Sequence, residues 1–208
     1  PRPHPSPWRR PTQALDLRGL VPAPVTPFTR DGAVDYEAIL RLGKWLAGFE
    51  GVKGLTVLGH AGEGTFLERD EQARVIECFR ESVNGRLPII AGITLEGTQV
   101  AVEEAKRAVK AGASAGWLRF GYQKGAPQDR YRAIYEGSGL PLILFQYPDA
   151  TKATYDLETQ LEIAAQPGVF AMKNGVRNMK RWDREIPVIR RERPNLQVLT
   201  CHDEYLLH

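Results

Sequence analysis

Residues 140–173 read LPLILFQYPDATKATYDLETQLEIAAQPGVFAMK. Two short apolar runs, Leu140–Phe145 and Val169–Lys173, flank an amphipathic stretch at Leu157–Ala164. Neither run alternates cleanly between apolar and polar residues, which is the pattern of strands covered on both faces. Strand, helix, strand is the unit that builds a parallel sheet with right-handed crossovers.

The same unit recurs outward from this stretch. Further apolar runs lie at Gly19–Thr26, Gly54–Leu58, Leu87–Ile93, Ala115–Phe120 and Gln197–Cys201. Helical patterns fall between them, near Asp35–Phe49, Glu68–Val83, Thr98–Ala111, Gln128–Glu136 and Asn178–Arg193. Ala38, Leu42, Trp45 and Leu46 mark one apolar helix face at three- and four-residue spacing. Ala101, Ala105, Ala108, Val109 and Gly112 mark another, with charges opposite.

About seven units fit either an open doubly wound sheet or a closed (β/α)₈ barrel. No GxGxxG follows the first run, which weakens a dinucleotide-binding reading. Polar residues instead follow several different runs: Thr26, His60, Glu63, Tyr122, Tyr147, Lys173, His202 and Asp203. Barrel enzymes build their sites from many strand ends, whereas an open sheet concentrates its site at one switch point. The expected fold is therefore α/β, a (β/α)₈ TIM barrel truncated after strand seven, because the sequence stops at His208 just past the seventh run. Without an eighth strand, strands one and seven keep open edges.

Residues 1–17 are expected to form an extended, disordered N-terminal tail and residues 18–208 a (β/α)₈-type barrel lacking the eighth unit and any C-terminal helices. The lead-in opens PRPHPSPWRRP, whose prolines lack the amide hydrogen that helices and sheets need, and it has no apolar core of a secretory signal. The 208 residues are 42% hydrophobic and 25% charged, ordinary for a globular chain. No stretch reaches the roughly 18 apolar residues of a membrane span. The net charge of +3 comes from 28 basic and 25 acidic side chains that are spread along the chain, so nucleic-acid binding is not indicated. Cys78 and Cys201 cannot make a disulfide framework, and the cytoplasm is the expected compartment.

Four elements can carry chemistry. Lys173 ends an apolar run with the character of an inner strand. Either it reaches water or a carboxylate, or it sits desolvated, where its pKa falls and the neutral amine becomes a nucleophile towards carbonyls. Gly59-His60-Ala61-Gly62-Glu63-Gly64 has three glycines in six residues. Such a loop can turn sharply and present amides to a carboxylate or phosphate, although glycine-rich βα turns are common. Glu63 is open between a catalytic role, a helix cap and an ion pair. Phe145-Gln146-Tyr147-Pro148 offers a tyrosine that either shuttles protons or packs, and Tyr122 has the same two readings. His202-Asp203-Glu204, with His60 and Glu63, could ligate a metal, but few histidines stand at strand ends.

Taken together, these motifs resemble the dihydrodipicolinate synthase / N-acetylneuraminate lyase family of Schiff-base aldolases and dehydratases. Pro24-Val25-Thr26-Pro27-Phe28 looks like the family's opening strand, Gly59–Glu63 stands in its GTTGE loop, and Phe145-Gln146-Tyr147-Pro148 stands at its YNxP. Lys173 stands at its imine-forming lysine. The resemblance runs from Leu20 to about Leu207. It implies a closed barrel, a tetramer or dimer, a 2-keto acid such as pyruvate or a sugar-derived keto acid bound as an imine, and neither metal nor organic cofactor. Tyr122 matches a second tyrosine that reaches into a neighbouring subunit's site.

The chain departs from the pattern at named positions. Phe145 replaces the YNxP tyrosine, His60 and Ala61 replace two loop threonines, and Ala150 stands where an arginine grips a second carboxylate, with Lys152 nearby. His60, near neutral pKa, and Tyr147, two residues beyond Phe145, can substitute as proton carriers. The expected catalytic set is Lys173, Tyr122, Tyr147 and His60. Gly59, Ala61, Gly62, Glu63, Thr26 and Phe145 are expected around the substrate. The rival expectations are a keto-acid-binding barrel that has lost turnover and a metal-dependent hydrolase or lyase.

Overall fold

A computed structural model describes residues 15–118, 126–148 and 154–202. Six parallel strands pair strictly in chain order: β1 (Leu55–Val57), β2 (Ile89–Ile93), β3 (Ala115–Leu118), β4 (Leu142–Gln146), β5 (Val169–Asn174) and β6 (Gln197–Thr200). Helices alternate with them: α1 (Tyr36–Leu46) precedes β1, and α2 (Arg69–Ser82), α3 (Thr98–Ala111), α4 (Pro127–Ser138), α5 (Leu157–Ala164) and α6 (Met179–Glu192) follow β1 to β5 in turn. Nearest-neighbour order with parallel pairing throughout is the sequence of staves in a barrel, and the sheet curls as part of one. No helix among the described residues is long and apolar enough to cross a membrane.

The helix ends follow local chemistry. The side chains of Asp35, Asp156 and Asn178 accept from the amides of Ala38, Thr159 and Arg181, satisfying first-turn donors. Glu68 and Glu71 form a capping box at the start of α2. Gly112 and Gly139 end α3 and α4 in the left-handed conformation.

One expected strand is corrected. Gly19–Thr26 forms no regular ladder, only an isolated parallel bridge between Leu20 and Val52. The reason is Pro22 and Pro24, which cannot donate to a neighbouring strand. Even so, Lys53 N donates to Leu20 O at 2.8 Å and Thr56 N to Pro22 O at 2.8 Å, so the segment lies alongside β1 as an irregular first stave.

Two apolar layers result. Leu142, Leu144 and Met172 face the helices in the larger cluster, with Ile39, Phe79 and Ile134. Ile90, Ala115, Trp117, Ile143, Phe145 and Ala171 face inward in a smaller cluster. Period-two alternation therefore points Lys173 inward with Ala171. The inner cluster is plugged by Leu17, which is fully buried. Leu17 N donates to Gln197 Oε1 at 2.7 Å, and Gln197 Nε2 donates to Leu15 O at 2.5 Å. Residues 15–17, expected in the lead-in, are thus packed and hydrogen-bonded onto β6.

Candidate active site

Lys173 lies on β5, in register with Phe145 on β4 and Leu199 on β6. Its Nζ stands 4.0 Å from the centroid of the Phe145 ring. Burial pushes its pKa below the ordinary lysine value, and the neighbouring Cys201 sulfur pulls it partway back. The amine is therefore more readily neutral than a surface lysine, the condition for attack on a carbonyl.

Aromatic rings surround this position. Tyr147 is buried against Phe145, with ring centroids 4.1 Å apart, so Phe145 and Tyr147 share the inner side as their spacing predicts. Trp117 meets Phe145 edge-on at 5.2 Å. The exposed His60 ring lies 5.8 Å from Trp117, 6.3 Å from Phe145 and 5.6 Å from Tyr147. His60 on one loop, Tyr147 on another and Lys173 on β5 thus converge on one group of rings.

The loop after β1 is built on strained backbone. Leu58 has φ +57° and Glu63 has φ +52°, a region that side-chain-bearing residues rarely occupy. The kink at Leu58 fits because Gly64 and Gly92 lie against its carbonyl. A Cβ at Gly92 would stand 2.3 Å from Leu58 O, and one at Gly64 would stand 2.4 Å away. Such outliers persist where the surroundings impose them, often at functional sites. Thr26, buried, donates its hydroxyl to Gly62 O at 2.6 Å and so braces the loop from behind. Gly59 and Gly62 are buried, while Ala61 and Glu63 are exposed.

Two sets of hydrogen bonds hold the neighbouring loops. Gln146, fully buried at the end of β4, donates to Tyr155 O at 2.6 Å and accepts from Tyr155 N at 2.9 Å. Tyr155 O also accepts from Gln160 and Arg181. After β2, the amides of Thr94 and Leu95 donate to buried Glu104, and the Leu95 and Glu96 carbonyls accept from buried Arg130. Burial raises the Glu104 pKa.

Other expected participants lie apart. His202 is buried beside β5, with Nε2 3.0 Å from Gly175 O. Among the described residues, no three His, Cys, Asp or Glu side chains gather in a metal-holding group. Tyr122, Ala150, Lys152, Asp203 and Glu204 lie outside the described residues. Sequence reasoning missed Trp117, Gln146 and Cys201. Alternation from Ala115 would have turned Trp117 inward, but an apolar run gives no reason to single out one ring.

A curled parallel sheet with alternating helices, an inward lysine, a glycine loop and an aromatic wall is the arrangement of a (β/α) barrel fold. A family model for the dihydrodipicolinate synthetase family matches residues 16–208, and the chain belongs to that family. The 4-hydroxy-tetrahydrodipicolinate synthase of Sphingopyxis alaskensis is 35% identical over 167 residues, covering 78% of this chain and 57% of that protein. That of Thiobacillus denitrificans is 35% identical over 168 residues, covering 79% and 56%. The chain spans little more than half the length of these relatives. Among solved structures, the dihydrodipicolinate synthase of Acinetobacter baumannii, crystallised with pyruvate, superposes with TM-score 0.79 at 29% identity over 89% of this chain and 64% of that one. The N-acetylneuraminate lyase of Mycoplasma synoviae shares the fold, with TM-score 0.77 at 22% identity over 92% and 65%.

Proposed function

We propose that the protein is an aldolase- or dehydratase-type lyase that captures a 2-keto acid, pyruvate or a sugar-derived acid, on Lys173. The observation that carries this is the Lys173 amine itself: inward-facing, desolvated and shifted towards neutrality. Its Nζ adds to the C2 carbonyl, and the carbinolamine loses one water to give an imine. The protonated imine is the electron sink. Loss of a C3 proton, or cleavage of a bond at C3, leaves its electron pair in an enamine, and hydrolysis returns ketone and amine. The Gly59–Glu63 loop, braced by Thr26, is the cradle for the substrate carboxylate. His60, Tyr147 and Tyr122 are the proton carriers, and Phe145 lines the amine. The family resemblance adds an assembly of two or four copies, and two cysteines too few for a disulfide framework favour the cytoplasm.

Borohydride reduction in the presence of pyruvate and several sugar keto acids tests the reading. The expected result is a mass increase confined to Lys173 and lost in Lys173→Ala. No adduct with any keto acid refutes it. A second reading, reversible binding without turnover, is favoured by the missing hydroxyls at Phe145 and Ala61. It predicts calorimetric binding of a keto acid together with no product formation.

A further inference from the structure

Trp117 stands out from the other rings of the inner cluster. Only 5% of it is exposed, and its Nε1 finds no acceptor among the described residues. An indole N–H can only donate, so it needs an acceptor, and buried donors are nearly always paired. Cζ2, two bonds from Nε1 along the same edge of the indole, lies 3.6 Å from where a Cβ of Gly59 would stand and 3.1 Å from that of Gly92. The lack of side chains at both positions lets the indole edge reach the root of the Gly59–Glu63 loop. Trp117 also meets Phe145, whose ring underlies the Lys173 amine. The indole with the unpaired donor therefore touches both the root of the Gly59–Glu63 loop and the ring on which the amine lies.

We infer that the indole N–H of Trp117 is a substrate contact, donating to the carboxylate of the keto acid held at Lys173. The inference rests on the carbonyl-capture reading for the identity of its ligand. An anionic oxygen is the acceptor that strengthens such a bond most in a site shielded from water. The ring thus both fills the barrel and selects ketones bearing a carboxylate next to the carbonyl.

Indole ¹H–¹⁵N spectra of the tryptophan-labelled protein test this directly, with pyruvate as probe and hydroxyacetone, which lacks the carboxylate, as control. The chain has four tryptophans, so four resonances are expected. Trp117→Phe assigns one by its loss. If that variant does not fold, Trp8→Phe, Trp45→Phe and Trp182→Phe assign it by elimination. The expected result is a saturable downfield shift of the Trp117 resonance with pyruvate and none with hydroxyacetone. Where Trp117→Phe folds, half-saturation by pyruvate rises about tenfold and that by hydroxyacetone is unchanged. A stationary resonance, or an equal shift with both ketones, overturns the inference. Parallel borohydride trapping separates the two ideas. An adduct with a stationary resonance sinks the Trp117 contact alone, and a moving resonance without an adduct sinks the imine alone.

Discussion

The Lys173 ammonium lies over the face of Phe145, its register partner, 4.0 Å from the ring centroid. The ring's negative face favours the charged amine, while burial favours the neutral one. Burial wins, since the pKa is lowered. Phe145→Leu removes the opposing attraction. The pH midpoint for borohydride trapping of pyruvate should move further down. An upward or absent movement refutes the assignment.

Phe145→Tyr adds a hydroxyl beside the amine, to act alongside His60 and Tyr147. A positioned acid/base contributes about 10²–10⁴-fold. Single-turnover imine formation should accelerate by about 10-fold to 100-fold. An unchanged rate would mean that the existing carriers already suffice.

Lys173→Met should make the protein more stable at neutral pH. With a lowered folded-state pKa, the unfolded chain binds more protons over the interval between that value and about 10.4. Stability in the native protein therefore rises with pH across that interval and is lost as pH falls through the folded-state pKa. The variant lacks this dependence, which urea unfolding at a series of pH values reads out.

Glu104 and Arg130 hold the backbone after β2 from its two sides, the carboxylate taking amides and the guanidinium taking carbonyls. Glu104→Ala orphans the amides of buried Thr94 and half-buried Leu95 and should cost about 2–4 kcal/mol in urea unfolding. The raised Glu104 pKa means its contribution is full below about 4.3 and declines as pH rises through the folded value. Glu104→Gln keeps an acceptor and should abolish that decline.

Gly92→Ala places a methyl 2.3 Å from the Leu58 carbonyl, against backbone that has no slack. We expect a loss of about 3 kcal/mol, the upper part of the range for overpacking, and weaker pyruvate binding as the adjoining loop shifts. Stability equal to that of the native protein would show the Leu58 kink to be dispensable.

Much of this architecture is legible in the sequence. Thr98–Ala111 and Leu157–Ala164 coincide with α3 and α5, because spacing, caps and burial agree there. The first stave is not legible as an irregular one: its apolar content reads as a strand, and only backbone pairing shows what Pro22 and Pro24 remove. Lys173 stands out as a cation in an apolar run. Gln146 does not, since its role depends on meeting the backbone of Tyr155 across a loop. Nor does the kink at Leu58, a leucine of ordinary type whose φ is imposed by two glycines, one of them a strand away.

The stapling of Leu15 and Leu17 to Gln197 joins positions up to 182 residues apart. Contacts so distant along a chain form late, because nearly everything between them must be ordered first. During synthesis the floor of the barrel therefore stays unsealed and its inner rings wet until β6 has left the ribosome. Among the described strands, β6 is the one that carries the residue holding Leu15 and Leu17 against the inner cluster.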